Sequence, residues 1–348
     1  MNTRYEQALN CQQPDRVPFL PAIYEHKAWF VGKTPSDVCR DPKLLTAALL
    51  AEYERVKPDA LTIGVDIYNV EAEAVGCKVT YYDEGNNSVP SIGHEGAILQ
   101  GSDDVTSLRL PDPRMDGRMP LFIEAAKAMV KILGKEIPLR GAVSGPFSLA
   151  AHLAGPQKLF LLTMMQPGIV KELLGFAAEV IKLYGNAFIE AGCGVVMFDS
   201  FASSDLLPPE MYRELVLPPT RGIVDHFHQK GARNIPLIIG GNTTSLLEAY
   251  LGTGANNILC DVKADPQEFL KRCSAMKKAF RRNLDSALFL ESSPADIKNR
   301  VMRSLEESNS YPGYILGTGV LAYGTPLTHI AAVREAIDEY ERTPAAGQ

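Results

Sequence analysis

Carboxylates and other hydrogen-bonding side chains recur in this chain directly after short apolar runs. The clearest case is GVVMF at residues 194–198, followed by Asp199, a polar loop (Ser200, Ser203, Ser204, Asp205) and a helix start at Pro208 and Pro209. The same arrangement sets Tyr24, Glu25 and His26 after residues 17–23, Asp66 after 60–65 and Ser144 after 137–143. It sets Asn242 after 235–239, Cys260 and Asp261 at the end of 257–260, and Glu291 after 287–290. An acid at the end of a buried strand can orient a substrate or pass a proton, and Glu, His and Cys together suit zinc. A helix cap or a local ion pair is the plainer alternative for any one of them. Repetition from strand to strand favours a shared site.

Such repetition needs strands that all run the same way. An eighth apolar run at 314–316 completes the set, and helical periodicity fills the intervals near 36–57, 119–134, 147–191, 209–230 and 327–342. This alternation predicts an α/β fold, a (β/α)8 TIM barrel with its site at the carboxyl ends of the strands. A short N-terminal helix over 4–12 is expected before it. A small β-hairpin insertion over 78–110, after the second strand, is expected to carry His94 over the mouth. No linker or repeat divides residues 1–348, so one domain is expected. A doubly wound sheet is the alternative, but no G-x-G-x-x-G follows the first strand and there is no P-loop.

Composition narrows the partners. A net charge of -6 and a pI near 5.6 leave no basic footprint for nucleic acid. No apolar run approaches the roughly 20 residues that cross a bilayer, and the start MNTRYEQ has no signal-peptide core. The six cysteines show no close pairing and read as reduced, mostly buried thiols of a cytoplasmic protein. The expected mouth is rich in acids and poor in arginine, with Arg140 in mid-strand and Arg213, Arg221, Arg272 and Arg334 on helices or below. That suits a neutral or cationic substrate, or a divalent metal, better than a polyanion.

Five stretches carry a resemblance: DIYNVEAEAVGCKV (66–79), GAVSGPFSLAAHLAG (141–155), FDSFASSDLLPPEMYRELVLPP (198–219), IIGGNT (238–243) and ILGTGVLAYGTPLTHI (315–330). In this order, over nearly the whole chain, they resemble the uroporphyrinogen decarboxylase superfamily, which implies the same barrel. The superfamily holds both porphyrinogen decarboxylases and cobalamin-linked methyltransferases, so the fold leaves the reaction open. The decarboxylases carry an arginine-rich run after the first strand and a His in the last glycine-rich turn. This chain has PAIYEHKAW at 21–29 and Thr318. The thiol-methylating members bind zinc through a His-x-Cys pair after the fifth strand and a Cys after the eighth. The matching positions are Ile238, Gly240 and about Val320.

The remaining branch is the O-demethylase-type methyltransferase component. It moves a methyl group from a methoxylated aromatic to the cobalt(I) of a separate corrinoid protein, which carries the cobalamin. A methylamine, sulfonium or halomethane donor is the alternative within the class, and a non-catalytic tetrapyrrole or small-molecule binder the alternative outside it. The branch implies an acid on the ether oxygen, from zinc or from a carboxylic acid or tyrosine. The expected zinc ligands are drawn from His26, Glu71, Cys260 and Glu291, with Glu190, Asp205 and His226 as a rival set. Asp199, Glu71 and Asn242 are the expected catalytic residues. Tyr24, Asp66, His94, Ser144 and Tyr323 are expected to contact the substrate. A homodimer is expected by analogy.

Overall fold

The computed structural model describes residues 3–83 and 85–342. Eight parallel strands run β1 Phe19–Ala22, β2 Leu61–Ile63, β3 Leu139–Ser144, β4 Gly194–Phe198, β5 Pro236–Ile238, β6 Asn257–Cys260, β7 Ala279–Leu284 and β8 Tyr314–Val320. Their order is β1-β8-β7-β6-β5-β4-β3-β2, so from β2 to β8 each strand pairs with the next, and β8 pairs back to β1. Helices cover the outside, as the alternating pattern requires.

Strand parity decides which side chains reach the interior. Val196 and Phe198 of β4 join Ala22, Tyr24, Ala142, Ile238 and Leu259 in an inner cluster. Val195 and Met197 pack outward against the helices. Both faces are buried, which is why GVVMF reads as an unbroken apolar run rather than an alternation. The barrel floor is sealed by the helix Arg4–Leu9, started by a capping box between Thr3 and Glu6. Its Tyr5, Ala8 and Leu9 pack on Leu20, Ala60, Ala279 and Ile315. Arg140 points into this floor, donating to the Tyr5 hydroxyl at 2.7 Å and to Thr62 Oγ1 at 2.8 Å.

One seam lacks a ladder. β1 and β2 end the strand order, and among the described residues one backbone bond, Asp59 N to Phe19 O at 3.0 Å, joins their lower ends. Higher up, the buried Lys27 ammonium donates to the carbonyls of Thr62 (3.0 Å) and Gly64 (2.8 Å). Glu52 lies 3.3 Å from the same nitrogen. A charged side chain thus bonds carbonyls that a neighbouring strand would otherwise have taken.

Two expectations need correction. The seventh strand is not 287–290, which lies mostly in the short helix Leu288–Glu291, but Ala279–Leu284. Its sequence AFRRNL hides the strand behind two arginines. The hairpin over 78–110 is reduced to one antiparallel bridge, Thr80 with Ser91, followed by short 3-10 turns at His94–Gly96 and Val105–Ser107. Asn, Gly and Pro over 85–93 supply turns but too few paired backbone groups for two strands.

Candidate active site

The inner cluster is the floor of a cavity of about 490 Å³ at the carboxyl ends of the strands. Tyr24, after β1, sets its ring edge-on to Phe198 with centroids 5.6 Å apart. Tyr68, in the turn after β2, meets Phe198 from the other side at 6.4 Å, and its hydroxyl lies 2.5 Å from Ser200 Oγ. Burial raises the hydroxyl pKa of both tyrosines, so both stay protonated. His152, on the helix Pro146–Ala154, completes this wall with a buried Nε2 that has no partner. Burial pushes its imidazole down to about 4, so it is neutral.

The polar groups lie in two places. Asp66 is held by both Arg118 Nη atoms, at 3.0 and 2.7 Å, while Arg118 Nε reaches Glu73 at 2.6 Å. Such a fork leaves little of Asp66 free to act as a base. Across the barrel, β6 and β7 present Asp261, Arg281 and Asn283. Asp261 accepts from Gly241 N at 2.8 Å and from Asn283 Nδ2 at 3.0 Å. Arg281 lies beside the Tyr24 hydroxyl, and its Nε is buried without a partner. Gly317 on β8 gives it room, since a Cβ there would stand 2.7 Å from Arg281 Cδ.

Of the expected site residues, Tyr24 and Asp66 line this cavity, with Glu25 beside them. Asp199 does not. It shares the parity of Val195 and Met197, faces the helices, and accepts from Ser148 N at 2.7 Å. It thereby holds the first turn of the helix Pro146–Ala154, under Gly145, where any Cβ would come within 2.3 Å of it. Glu71 lies one layer behind the wall, accepting from Ser144 N at 2.5 Å. Ser144 is buried with it and does not line the cavity. Asn242 is exposed, its Oδ1 accepting from Thr244 N at 3.2 Å. Tyr323 bonds Lys33 O at 3.1 Å and ties the loop after β8 to the turn before Thr34. The His94 side chain lies outside what is described.

The expected zinc ligands are not brought together. His26 is sandwiched by Trp29 and Phe30, with centroids 5.4 and 4.8 Å away, and burial keeps it neutral. Cys260 has the outward parity opposite to Leu259, and burial pushes its thiol up to about 12. Glu291 is exposed on its short helix. In the rival set, His226 bonds Asn186 at 3.0 Å, Asp205 accepts from Asn242 N at 3.2 Å, and Glu190 is exposed at a helix end. Among the described residues, no three His, Cys, Asp or Glu side chains converge to hold a metal ion. The residues therefore do not fit the zinc that the resemblance implies.

Sequence reading missed Arg281, Asn283, Tyr68 and His152. For Arg281 and Asn283 the signal was present, because Ala279, Arg281 and Asn283 alternate with Phe280, Arg282 and Leu284. All six cysteines are free, and no described helix is long and apolar enough to cross a membrane.

The two buried carboxyls behind the wall carry a stability prediction. Burial raises Glu71 from 4.5 to about 7 and Asp199 from 3.8 to about 6. In the window between these values the folded state binds more protons than the unfolded state, so stability falls as pH rises. We expect the denaturation midpoint to drop from pH 4.5 to pH 7, with Glu71 contributing on the order of 2–3 kcal/mol. Glu71→Gln, which keeps an acceptor for Ser144 N, should flatten most of that slope. An unchanged slope would show that Glu71 is not protonated there.

The comparisons bear on this geometry. The family model for uroporphyrinogen decarboxylase (URO-D) matches residues 1–340. Uroporphyrinogen decarboxylase of Coxiella burnetii is 28% identical over 97% of this chain and 95% of its own. Methylcobamide:CoM methyltransferase MtbA of Methanosarcina mazei is 32% identical over 75% of this chain and 76% of its own. A solved methyltransferase from the same organism superposes with a TM-score of 0.85 at 23% identity, covering 97% of this chain and 99% of that one, which shows the shared barrel. The chain, matched along nearly its whole length, belongs to the uroporphyrinogen decarboxylase (URO-D) family.

Proposed function

We propose that this chain transfers a methyl group from a methoxylated aromatic to the cobalt(I) of a separate corrinoid protein. The observation that carries this reading is the make-up of the cavity. It is floored by Ala22, Phe198, Ile238 and Leu259 and walled by Tyr24 and Tyr68, a size and polarity suited to one aromatic ring. The positions where the resemblance places zinc ligands in thiol-methylating members, Ile238, Gly240 and Val320, all line it, and none can bind a metal. That argues against a thiol as the methyl acceptor. The aromatic floor and the fork-bound Asp66 argue against a substrate with many carboxylates.

The acceptor's cobalt(I) supplies the nucleophile, and its electron pair forms the new bond to the methyl carbon. The methyl–oxygen bond breaks, and the aryl oxygen leaves with the bonding pair. An aryl oxide is a poor leaving group, so a proton must reach it as it departs. Tyr68 provides that proton, and its hydroxyl is set by the contact with Ser200. Burial raises the Tyr68 hydroxyl above the ordinary phenol value, and a phenolate departing within the same buried cavity is raised by the same desolvation, which keeps the two phenols close in acidity. Solvent returns the proton to Tyr68 once the phenol leaves.

Exposed apolar residues stand on the same end of the barrel as the cavity. Leu206 lies beyond β4, Val262 beyond β6, Leu290 beyond β7 and Val320 at the end of β8. Together they suit a protein acceptor that must bring its cofactor over the mouth. Val262→Glu should slow transfer to the cognate corrinoid protein by roughly 10-fold, with free cobalamin as acceptor unaffected. Equal loss with both acceptors would remove Val262 from the docking surface.

The test of the function is direct. The protein, reduced cobalamin and a panel of methoxybenzenes should yield methylcobalamin and the matching phenols. Transfer only from methylamines, sulfoniums or halomethanes would replace the donor class. Absence of transfer from every donor, or turnover of uroporphyrinogen, would overturn the reading.

A further inference from the structure

We infer that the donor is an anionic aromatic, a methoxylated benzoate or close analogue, whose carboxylate is bound by Arg281. The inference rests on the reading above and specifies its substrate.

None of the other arginines turned into the barrel or its wall lines the cavity. Arg118 holds Asp66 and Glu73. Arg140 lies at the floor, where Nη1 and Nη2 donate to Tyr5 and Thr62 and Nε is buried without a partner. Arg282, the outward neighbour, pairs with Glu307. Arg281 differs. It is 4% exposed, lines the cavity, and has a buried Nε without a partner, and no described carboxylate lies within salt-bridge distance of it. Asp261, the acid on the adjoining strand, is occupied by Gly241 N and Asn283 Nδ2.

A guanidinium cannot shed its proton, so removing it from water without a counter-charge is costly. The barrel nevertheless makes a place for this one. Inward parity on β7 aims it at the cavity, and Gly317 leaves its stem the space a larger residue would fill. The counter-charge missing from the chain is supplied by the ligand. A carboxylate fits, because the guanidinium edge offers parallel donors to two oxygens.

Placement across the barrel adds a constraint. Arg281 belongs to β7, whereas Tyr68 follows β2 and Ser200 follows β4, on the other half of the strand order. A ring between them directs its carboxylate to one wall and its methoxy oxygen to the other. Asn283 Oδ1, buried and without a partner beside Arg281, is left to accept from a ring hydroxyl or a water.

The experiment is equilibrium binding to the full chain, without corrinoid, of 3-methoxybenzoate and its neutral isostere 3-methoxybenzamide. Wild type should bind the benzoate about 10–100-fold more tightly than the amide. Arg281→Gln should lose that preference while still binding the amide, which reports an intact cavity, and Arg281→Lys should retain part of it. Equal affinity for the two ligands in wild type, no binding of either, or a preference that survives Arg281→Gln would overturn the assignment. Because nothing is transferred here, failure leaves the methyl-transfer reading to its own assay. Methyl transfer from neutral methoxybenzenes alone would sink the carboxylate and spare the reaction.

Discussion

Tyr68→Phe should lower the rate of methyl transfer from an aryl methyl ether by about 10²–10⁴-fold, the usual loss when a positioned acid is removed. The substitution deletes one oxygen. The ring keeps its edge-on contact with Phe198, so donor affinity should change little. The Ser200 hydroxyl loses its 2.5 Å partner and stays beside the cavity, where water can bond it. A loss of rate through misfolding would be the same for every donor. A loss through missing proton transfer would not, because a more acidic phenol leaves without help. A nitro-substituted methoxybenzene should therefore lose far less rate in the variant than an alkyl-substituted one. A uniform loss across both would assign Tyr68 to packing and leave the proton to another group.

That choice of acid was not open to sequence reading, and the reason is parity. The strand-end rule picked out Asp199 as the residue directly after a buried run, and the strand does end at Phe198. In a barrel strand, adjacent residues face opposite layers, and a run buried on both sides carries no mark of which is which. Asp199 falls on the helix side and serves Ser148 N. Phe198, one residue earlier, forms the cavity floor. Cys260 and Leu259 repeat the same reversal on β6. By contrast, the barrel alternation was legible from the spacing of apolar runs for every strand but the seventh, whose place was given to 287–290.

The acid-rich, arginine-poor mouth expected from sequence failed for a related cause. AFRRNL at 279–284 places one arginine on each face of β7, and its apolar positions number only three. Charge inside a strand lowers its apparent strand character, although a barrel interior accepts it when the ligand or a partner completes the pairing. Arg118 was hidden in another way. It sits just before the helix Met119–Leu133, 52 residues beyond Asp66, and only the closed barrel brings the two together. Local patterns located the acids, but not what neutralises them.

Lys27 offers the largest expected effect on stability. Its ammonium bonds two carbonyls of the β2 segment and faces Glu52, all without access to water. Burial pulls Lys27 down and pushes Glu52 up, and each is opposed chiefly by the other, with smaller help from Glu25 and Arg140. Lys27→Met would fill the space but strand two carbonyls and a buried carboxylate. The expected cost is about 3–5 kcal/mol, read as a lower denaturation midpoint. Glu52→Leu added to Lys27→Met removes the stranded charge and should recover part of that loss. It cannot recover the carbonyls, because the Thr62 and Gly64 oxygens face the β1–β2 seam, which has no ladder to take them. Complete recovery in the double variant would show that Lys27 serves only to neutralise Glu52. Recovery stopping short by the worth of two hydrogen bonds, about 1–3 kcal/mol, would show that the ammonium closes the barrel where the ladder ends.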